Sequence, residues 1–360
     1  MSNSENNIIV LFGGAGFIGK ELIESFGENN IVFVIDLVDE SEKFLNTYIN
    51  KMVYNFINLP PHLINIHMDL YLESLIENDN FNPKLQRILD SISGGFKSLY
   101  LYNLASPVGV VNHKEPTFYK AMGINQNIYK FCKKLYYSNY ISANDYERLF
   151  FNFMSTSELY GEINKFPSNG IELDTFYKKL NSINDENYRS DYIYQKALGE
   201  ALFSKLQGLY KVNIFRLFNI VGKYQDPKKG VFNKFVENIY SEKNCLVTES
   251  IRCYTNSNNF IRVVNDANNN ANLKEFNIIN VVDQDLSNSM TGEELYLYIY
   301  AYINKNIKPV VPNYTVADFS GEIAMRGSHN TLSYKNFCAE FGNIIDEVCK
   351  NLEYKENSKL

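Results

Sequence analysis

Tyr192 and Lys196 are the pair in this chain best spaced for acid–base work. Four residues apart on a helix, they face the same way. A tyrosine beside a lysine ammonium has its phenol pulled down and could serve as a base near neutral pH. The spacing alone discriminates little in a sequence with 27 tyrosines. It recurs at Tyr129/Lys133 and Tyr224/Lys228. Pro227 breaks any helix through the second of these, and the first falls on a helix better used for packing. Tyr192 differs because it follows Ser155-Thr156-Ser157-Glu158-Leu159-Tyr160-Gly161, a hydroxyl- and carboxylate-bearing run at the end of an apolar strand.

A second group with chemical meaning is Gly13, Gly16 and Gly19. The apolar run Asn7–Phe12 leads straight into these glycines, and helix-forming residues follow from Lys20 to Phe26. Gly13 can make the tight turn, Gly16 lets backbone approach a pyrophosphate, and Gly19 lets helix and strand pack closely. The first helical turn, with Phe17 and Ile18, presents free N–H groups and a positive dipole end to phosphates. A second strand, Ile31–Ile35, ends at Asp36, whose carboxylate can bond both ribose hydroxyls and would repel a 2′-phosphate. That favours NAD over NADP. The oxidised nicotinamide, a cation, would lower the Tyr192 phenol further.

These groups need a frame. Strand-like segments at Asn7–Phe12, Ile31–Ile35, Ile64–Leu70, Ser98–Asn103, Leu149–Met154 and Val212–Leu217 alternate with helical stretches at Phe81–Ile92, Pro116–Tyr137 and Asp191–Leu209. The expected fold class is α/β: a doubly wound parallel Rossmann sheet with a smaller C-terminal α/β substrate-binding domain. The expected boundary is 1–217 for the NAD-binding domain and 218–360 for the substrate domain, interleaved near 255–285. Asp69 and Leu70, at a strand end, fall near the adenine edge; a helix cap explains Asp69 equally well. Leu104-Ala105-Ser106-Pro107 would let backbone pass under the cofactor. Residues 162–189 read as a substrate loop. Beyond Asn219, Val231–Tyr240, Thr291–Ile307 and Tyr334–Leu352 read as helices, Phe276–Val282 as a strand, and Asn256–Asn259 and Asn265–Asn272 as loops.

Composition narrows the function classes. A net charge of −6 over 360 residues gives no basic footprint for nucleic acid or anionic membrane. No apolar stretch would span a bilayer, and the polar N-terminus lacks a signal core. The expectation is a cytoplasmic protein. Five scattered cysteines read as reduced thiols, with neither a disulfide framework nor a zinc site; no metal is expected.

Taken in order, Gly13-x-x-Gly16-x-x-Gly19, Leu104-Ala105-Ser106-Pro107, Ser155 through Gly161, Tyr192-x-x-x-Lys196 and Arg216-Leu217-Phe218-Asn219 resemble the extended short-chain dehydrogenase/reductases that modify nucleotide sugars, the NAD-dependent epimerase/dehydratase family. The resemblance is dense over residues 7–222 and thin afterwards. Within the family it is most similar to the UDP-glucuronate decarboxylases, which carry a similar Ala-Ser-Pro turn and Thr-Ser-Glu triplet. It implies that Tyr192 takes the proton of a sugar C4 hydroxyl while hydride passes to NAD⁺. It further implies that Lys196 holds the nicotinamide ribose and that Thr156 bonds the same hydroxyl. A 4,6-dehydratase of this family places an acidic Asp where this chain has Ser157, and epimerases usually lack Glu158. The triplet therefore favours decarboxylation, with Glu158 orienting the sugar or assisting proton transfer.

For substrate binding the resemblance points to Pro107, Ser157, Asn219, Lys234, Arg252 and Arg326. Lys234 stands where the decarboxylases place a phosphate-contacting Asn, and Arg326-Gly327-Ser328-His329 is a reduced form of a basic C-terminal signature. A C4 dehydrogenase or 4-epimerase on another nucleotide sugar, and an inactive cofactor-binding subunit, stay open as alternatives. The family also implies a homodimer through the helices Pro116–Tyr137 and Asp191–Leu209.

Overall fold

The computed structural model describes residues 6–27, 29–37, 62–106, 117–160, 188–226, 230–248, 250–270, 274–282, 289–304, 314–316 and 334–357. Among these, the chain divides into two compact units. One draws on Met1–Leu159, Glu172–Arg216 and Val264–Ile279, the other on Tyr160–Ile171, Leu217–Val263 and Asn280–Leu360.

The first unit is built on a seven-stranded sheet. Its strands are β1 (Asn7–Phe12), β2 (Asn30–Asp36), β3 (His62–His67), then, past the two-residue hairpin strands β4 (Ile76–Glu77) and β5 (Asn80–Phe81), β6 (Leu99–Asn103), β7 (Leu149–Thr156) and β8 (Lys211–Leu217). The last, β12 (Phe276–Val281), follows three short strands of the second unit. The order across the sheet is β12-β8-β7-β6-β1-β2-β3. β1, β2, β3, β6 and β7 pair in parallel. Runs such as Ile8–Phe12 and Val32–Ile35 are buried along their whole length, as a sheet covered on both faces requires. This is the doubly wound Rossmann-like α/β fold expected from the alternation of strands and helices.

Register sets which ends meet. Phe12 pairs with Ile35 on one side and Asn103 on the other, and Asn103 pairs with Phe153. The chain therefore leaves β1, β2, β6 and β7 along one carboxyl-terminal edge, where ligands of such sheets collect.

The sheet also carries a buried amide ladder. Asn213 Nδ2 donates to Asn152 Oδ1 at 3.1 Å and to Asn268 Oδ1 at 3.3 Å; Asn277 Nδ2 donates to Asn213 Oδ1 at 3.1 Å; Asn268 Nδ2 donates to Tyr102 Oη at 2.8 Å. Four strands and the Ser257–Asn269 helix are thus tied by side chains that are all buried. Each such bond is worth about 1 kcal/mol net, but a broken one would leave a costly orphan, so the ladder fixes strand register.

Several elements differ from expectation. The runs Asn256–Asn259 and Asn265–Asn272, expected as loops, contribute to the helix Ser257–Asn269. Asn256 Oδ1 accepts from Asn258 N at 2.8 Å at its start, and Phe260, Val264 and Ala267 are buried at helical spacing. A polar composition concealed an amphipathic stripe. Phe81–Ile92, expected as one helix, divides into strand β5, a 3₁₀ turn Pro83–Leu85 and the helix Gln86–Ser93. Asn82 accepts from Lys84 N and Pro83 starts the turn, so capping chemistry outweighs apolar periodicity there.

The second unit has its own core, in which Phe232, Phe235, Val236, Tyr296, Ile299, Phe337 and Phe341 pack together. They come from the helices Val231–Tyr240, Gly292–Asn304 and Tyr334–Asn357. Its strands include β9 (Asn219–Val221), β10 (Cys245–Val247) and β11 (Arg252–Asn256), then β13 (Ser289–Met290) and β14 (Tyr314–Val316). All five cysteines are free thiols. Among the described residues no helix is long and apolar enough to cross a membrane.

Candidate functional site

The turn after β1 is held by close backbone contacts. Gly13 has φ +79°, a region that disfavours side chains. A Cβ there would lie 2.6 Å from the Ala105 backbone. The β1 turn and the Leu104-Ala105-Ser106 turn after β6 therefore touch. At Gly19 a Cβ would come within 2.1 Å of the Gly14 carbonyl oxygen; the close approach is between helix and turn rather than helix and strand. Gly16 is the opposite case. It is exposed, and a Cβ would meet only the Gly13 carbonyl, at 3.6 Å.

Gly16 also caps the helix Phe17–Ser25 without a side-chain cap bond, and no acid sits in the first turn. The N–H groups of Phe17, Ile18 and Gly19 open this helix beside a bare glycine. That cradle fits a diphosphate.

Asp36 does two things at the end of β2. Its Oδ2 accepts from Ala15 N at 2.9 Å and its Oδ1 from Leu37 N at 2.8 Å. The carboxylate thereby braces the glycine turn at the place where a ribose would lie. Asn103, unremarked in the sequence, plays the matching part at the end of β6. Its Oδ1 accepts from Ala105 N at 3.1 Å and its Nδ2 donates to Asn125 Oδ1 at 2.9 Å. Asp69 Oδ1 accepts from Tyr71 N at 2.9 Å and Leu72 N at 3.2 Å, so this carboxylate caps a turn rather than the helix expected after it. Leu70 is buried in the core beneath it.

A second cluster gathers at the end of β7. Thr156 is the last residue of that strand, and Ser157–Tyr160 turn in a 3₁₀ helix. Thr156 Oγ1 accepts from Glu158 N at 3.3 Å and acts on the Tyr192 phenol, favouring its charged form. Tyr192 and Lys196 project from the helix Tyr188–Phe203. Lys196 Nζ donates to the Met154 carbonyl at 2.7 Å, lies 5.1 Å from the Phe153 ring centroid and 5.9 Å from that of Tyr192. Thr156, Tyr192, Lys196 and Glu158 are therefore one constellation, assembled from segments that the sequence separates.

Its electrostatics correct one expectation. The Tyr192 phenol is not lowered but raised: desolvation disfavours the phenolate, the Glu158 carboxylate opposes it, and the Thr156 hydrogen bond offsets only part. Lys196 spends a proton on the Met154 carbonyl, and its own burial lowers it to about 8, against the opposing pull of Glu200. Lowering the phenol thus requires a positive charge beyond those of the described residues around it.

Glu200 and Arg216 form a layer not foreseen as part of the site. Arg216 Nε donates to Glu200 Oε1 at 3.0 Å and Nη2 to Oε2 at 2.8 Å, while Ser155 Oγ donates to Oε1 at 2.5 Å. The spacing Lys196-x-x-x-Glu200 is the signal that could have found it.

Of the other expected residues, Asn219 and Arg252 lie on neighbouring strands of the second unit. Asn219 pairs with Tyr254 in the β9–β11 register and its Nδ2 donates to the Cys253 carbonyl at 3.1 Å; Arg252 begins β11. Lys234 is exposed on the helix Val231–Tyr240. Ser157 is buried. Pro107 and Arg326, and nearly all of the loop 162–189, lie outside the described residues. Of the two decoys, Tyr129 packs on the hydrophobic core, and Tyr224 stands in a turn with Lys223 over its ring.

Comparison with known proteins agrees with this fold. The profile described as the NAD dependent epimerase/dehydratase family matches residues 9–281. Solved structures of similar fold include a UDP-glucuronic acid 4-epimerase from Bacillus cereus in complex with UDP-glucuronic acid and NAD, with a TM-score of 0.64, 17% identity, and 96% of this chain and 99% of that one covered. A UDP-glucose 4-epimerase from Thermus thermophilus in complex with NAD has a TM-score of 0.63 and 18% identity over 95% and 98% of the two chains. A dTDP-glucose 4,6-dehydratase from Bacillus anthracis str. Ames, also in complex with NAD, has a TM-score of 0.60 and 17% identity over 98% of each. No curated protein sequence matches the chain.

Proposed function

The chain belongs to the NAD dependent epimerase/dehydratase family, and from that premise we propose that it oxidises the C4 hydroxyl of a nucleotide sugar, in a UDP-glucuronate decarboxylase-like reaction. NAD is the cofactor. Gly13, Gly16, Phe17, Ile18 and Gly19 would hold its diphosphate, Asp36 a ribose, and Leu104, Ala105 and Ser106 would line its path. When bound, oxidised NAD supplies the hydride acceptor and a positive charge.

The observation that carries the reading is the gathering of Thr156, the Tyr192 phenol and Lys196, whose Nζ lies 5.9 Å from the Tyr192 ring centroid, at the end of β7. Tyr192 would accept the C4 hydroxyl proton, and Thr156 would hold that hydroxyl. Lys196 would bind the nicotinamide ribose. A glycuronate oxidised at C4 carries a carboxylate β to a ketone. Its C5–C6 bond can break with loss of CO₂, the electron pair passing into the carbonyl. Ser157 offers no acid to expel a C6 hydroxyl, which disfavours dehydration, and Glu158 stands by to orient the sugar. The alternative, a C4 dehydrogenase or 4-epimerase on another nucleotide sugar, is favoured by Lys234, which departs from the decarboxylase pattern. Substrate groups would be met by Ser157, Asn219, Lys234 and Arg252, with Pro107 and Arg326 as further candidates. The protein would work in the cytoplasm as a homodimer paired through the helices Thr117–Tyr136 and Tyr188–Phe203; sedimentation showing only monomer at micromolar concentration would count against the dimer.

The decisive assay supplies UDP-glucuronate and follows absorbance of reduced cofactor together with released CO₂. Transient reduction with CO₂ supports decarboxylation. Reduction without CO₂ moves the assignment to the alternative, and no reduction with any of UDP-glucuronate, UDP-glucose or GDP- and CDP-linked sugars removes the proposed chemistry.

A further inference from the structure

The helix Thr117–Tyr136 carries two asparagines, Asn125 and Asn127, that the proposed reaction does not itself use. Asparagine is a poor helix former and a costly residue to bury, yet Asn125 is only 4% exposed. What each one holds explains its presence. Asn127 Oδ1 accepts from Leu75 N at 2.8 Å, and its Nδ2 donates to the Leu70 and Glu73 carbonyls at 3.0 and 2.8 Å. Those three bonds fasten the helix to the loop after β3. Two residues back, on nearly the opposite side of the helix, Asn125 reaches the end of β6.

The bond made there decides what Asn103 can do. An asparagine amide has a donor end and an acceptor end. Asn125 Oδ1 takes the donor end, Asn103 Nδ2, at 2.9 Å. The acceptor end, Asn103 Oδ1, is thereby left to face Ala105 N at 3.1 Å. Asn103 is buried, so solvent offers its donor no substitute partner. Ala105 in turn lies against the glycine turn, where a Cβ at Gly13 would stand 2.6 Å from its backbone. Asn125 also sits where three elements meet. A Cβ at Gly199, on the helix of Tyr192 and Lys196, would come within 2.6 Å of the Phe153 ring of β7 and 3.1 Å of Asn125 Nδ2.

We propose that Asn125 is a positioning residue for the cofactor: by fixing the Asn103 amide it holds the Leu104-Ala105-Ser106 turn in place for NAD, from a helix packed against the one that carries Tyr192 and Lys196. The inference rests on the reading of residues 104–106 as lining the cofactor's path.

The test is the NAD⁺ affinity of the full chain, by calorimetry after removal of co-purified cofactor, together with the melting temperature of the cofactor-free protein. Asn125→Leu strands the Asn103 donor. It should lower the melting temperature and weaken NAD⁺ roughly five- to ten-fold, the equivalent of one hydrogen bond. Asn125→Asp still offers Asn103 an oxygen and should bind NAD⁺ close to wild type. Lost stability alone does not prove positioning, so the double variant Asn103→Leu/Asn125→Leu is measured beside these. It removes both partners at once, leaves no stranded amide between them and should melt near wild type. Its NAD⁺ affinity should stay low, because Ala105 N has lost its acceptor. Asn103→Leu alone removes that acceptor directly and should bind as weakly. Wild-type affinity in a folded Asn125→Leu, or in the double variant, while Asn103→Leu binds weakly, overturns the inference and leaves the cofactor's path as read. Wild-type affinity in Asn103→Leu and the double variant alike takes residues 104–106 off that path, and the inference falls with it.

Discussion

The turn after β1 and the cluster after β7 stand on the same sheet edge but are made differently. The first is backbone: glycines, N–H groups and two braces, Asp36 to Ala15 and Asn103 to Ala105. Its contacts lie within a short piece of chain or between adjacent strand ends. The second is side chains: Thr156, Tyr192, Lys196 and Glu200, drawn from two segments and adjusted by burial and charge. A binding element made of backbone is robust to electrostatics and fragile to volume. A reactive element made of titratable side chains is the reverse.

Substitutions sharpen that contrast, and the largest effect belongs to the reactive cluster. Tyr192→Phe should cut turnover by roughly 10²–10⁴-fold, since it removes the proton acceptor and keeps the packed ring. Its melting temperature and NAD⁺ affinity should stay near wild type. Tyr129→Phe and Tyr224→Phe should leave turnover nearly unchanged, and Thr156→Val should fall between because only one hydrogen bond is lost. Turnover by Tyr192→Phe at the wild-type rate would take this helix out of the reactive centre.

In the backbone element the volume test comes next. Gly13→Ala should destabilise by about 2–4 kcal/mol in urea unfolding, from positive-φ strain and collision with Ala105. Gly16→Ala should change stability by under about 1 kcal/mol, since its Cβ would meet only the Gly13 carbonyl at an ordinary contact distance of 3.6 Å, yet weaken NAD⁺. Equal stability losses at the two glycines would erase the distinction between a packing glycine and a binding one.

Lys196 supplies the pH test. Its folded value, about 8, is below its ordinary 10.5. Between these two values the unfolded chain holds a proton that the folded chain has released, so this residue makes stability rise with pH through that window. Below about 8 it contributes a constant penalty, of order 3 kcal/mol. Lys196→Met should therefore be more stable than wild type at pH 7, with the gap closing towards pH 10. Urea unfolding at a series of pH values measures it; a gap that does not change with pH would mean the lysine is not desolvated as described.

The last test returns to the backbone element and its carboxylate brace. Asp36→Ala should weaken NAD⁺ by about 1–3 kcal/mol, through loss of the ribose bond and of the Ala15 brace. A wild type that prefers the 2′-phosphorylated cofactor would overturn the role given to this carboxylate.

The sequence by itself determined the strand–glycine–helix unit, the α/β class and the Tyr192–Lys196 pair. Each is encoded within about one element's length, where steric and helical periodicity act directly on neighbouring residues. It misjudged the runs Asn256–Asn259 and Asn265–Asn272, because capping asparagines and a narrow apolar stripe look polar on average. What only the tertiary structure decided is which asparagines tie the sheet together, that Asn103 braces Ala105, that Arg216 and Ser155 clamp Glu200, and that the Tyr192 phenol is raised by the chain around it. The physical reason is common to all four. Desolvation and hydrogen bonding depend on which groups from distant segments exclude water together, and that is settled when the strands find their register, not where their residues stand along the chain.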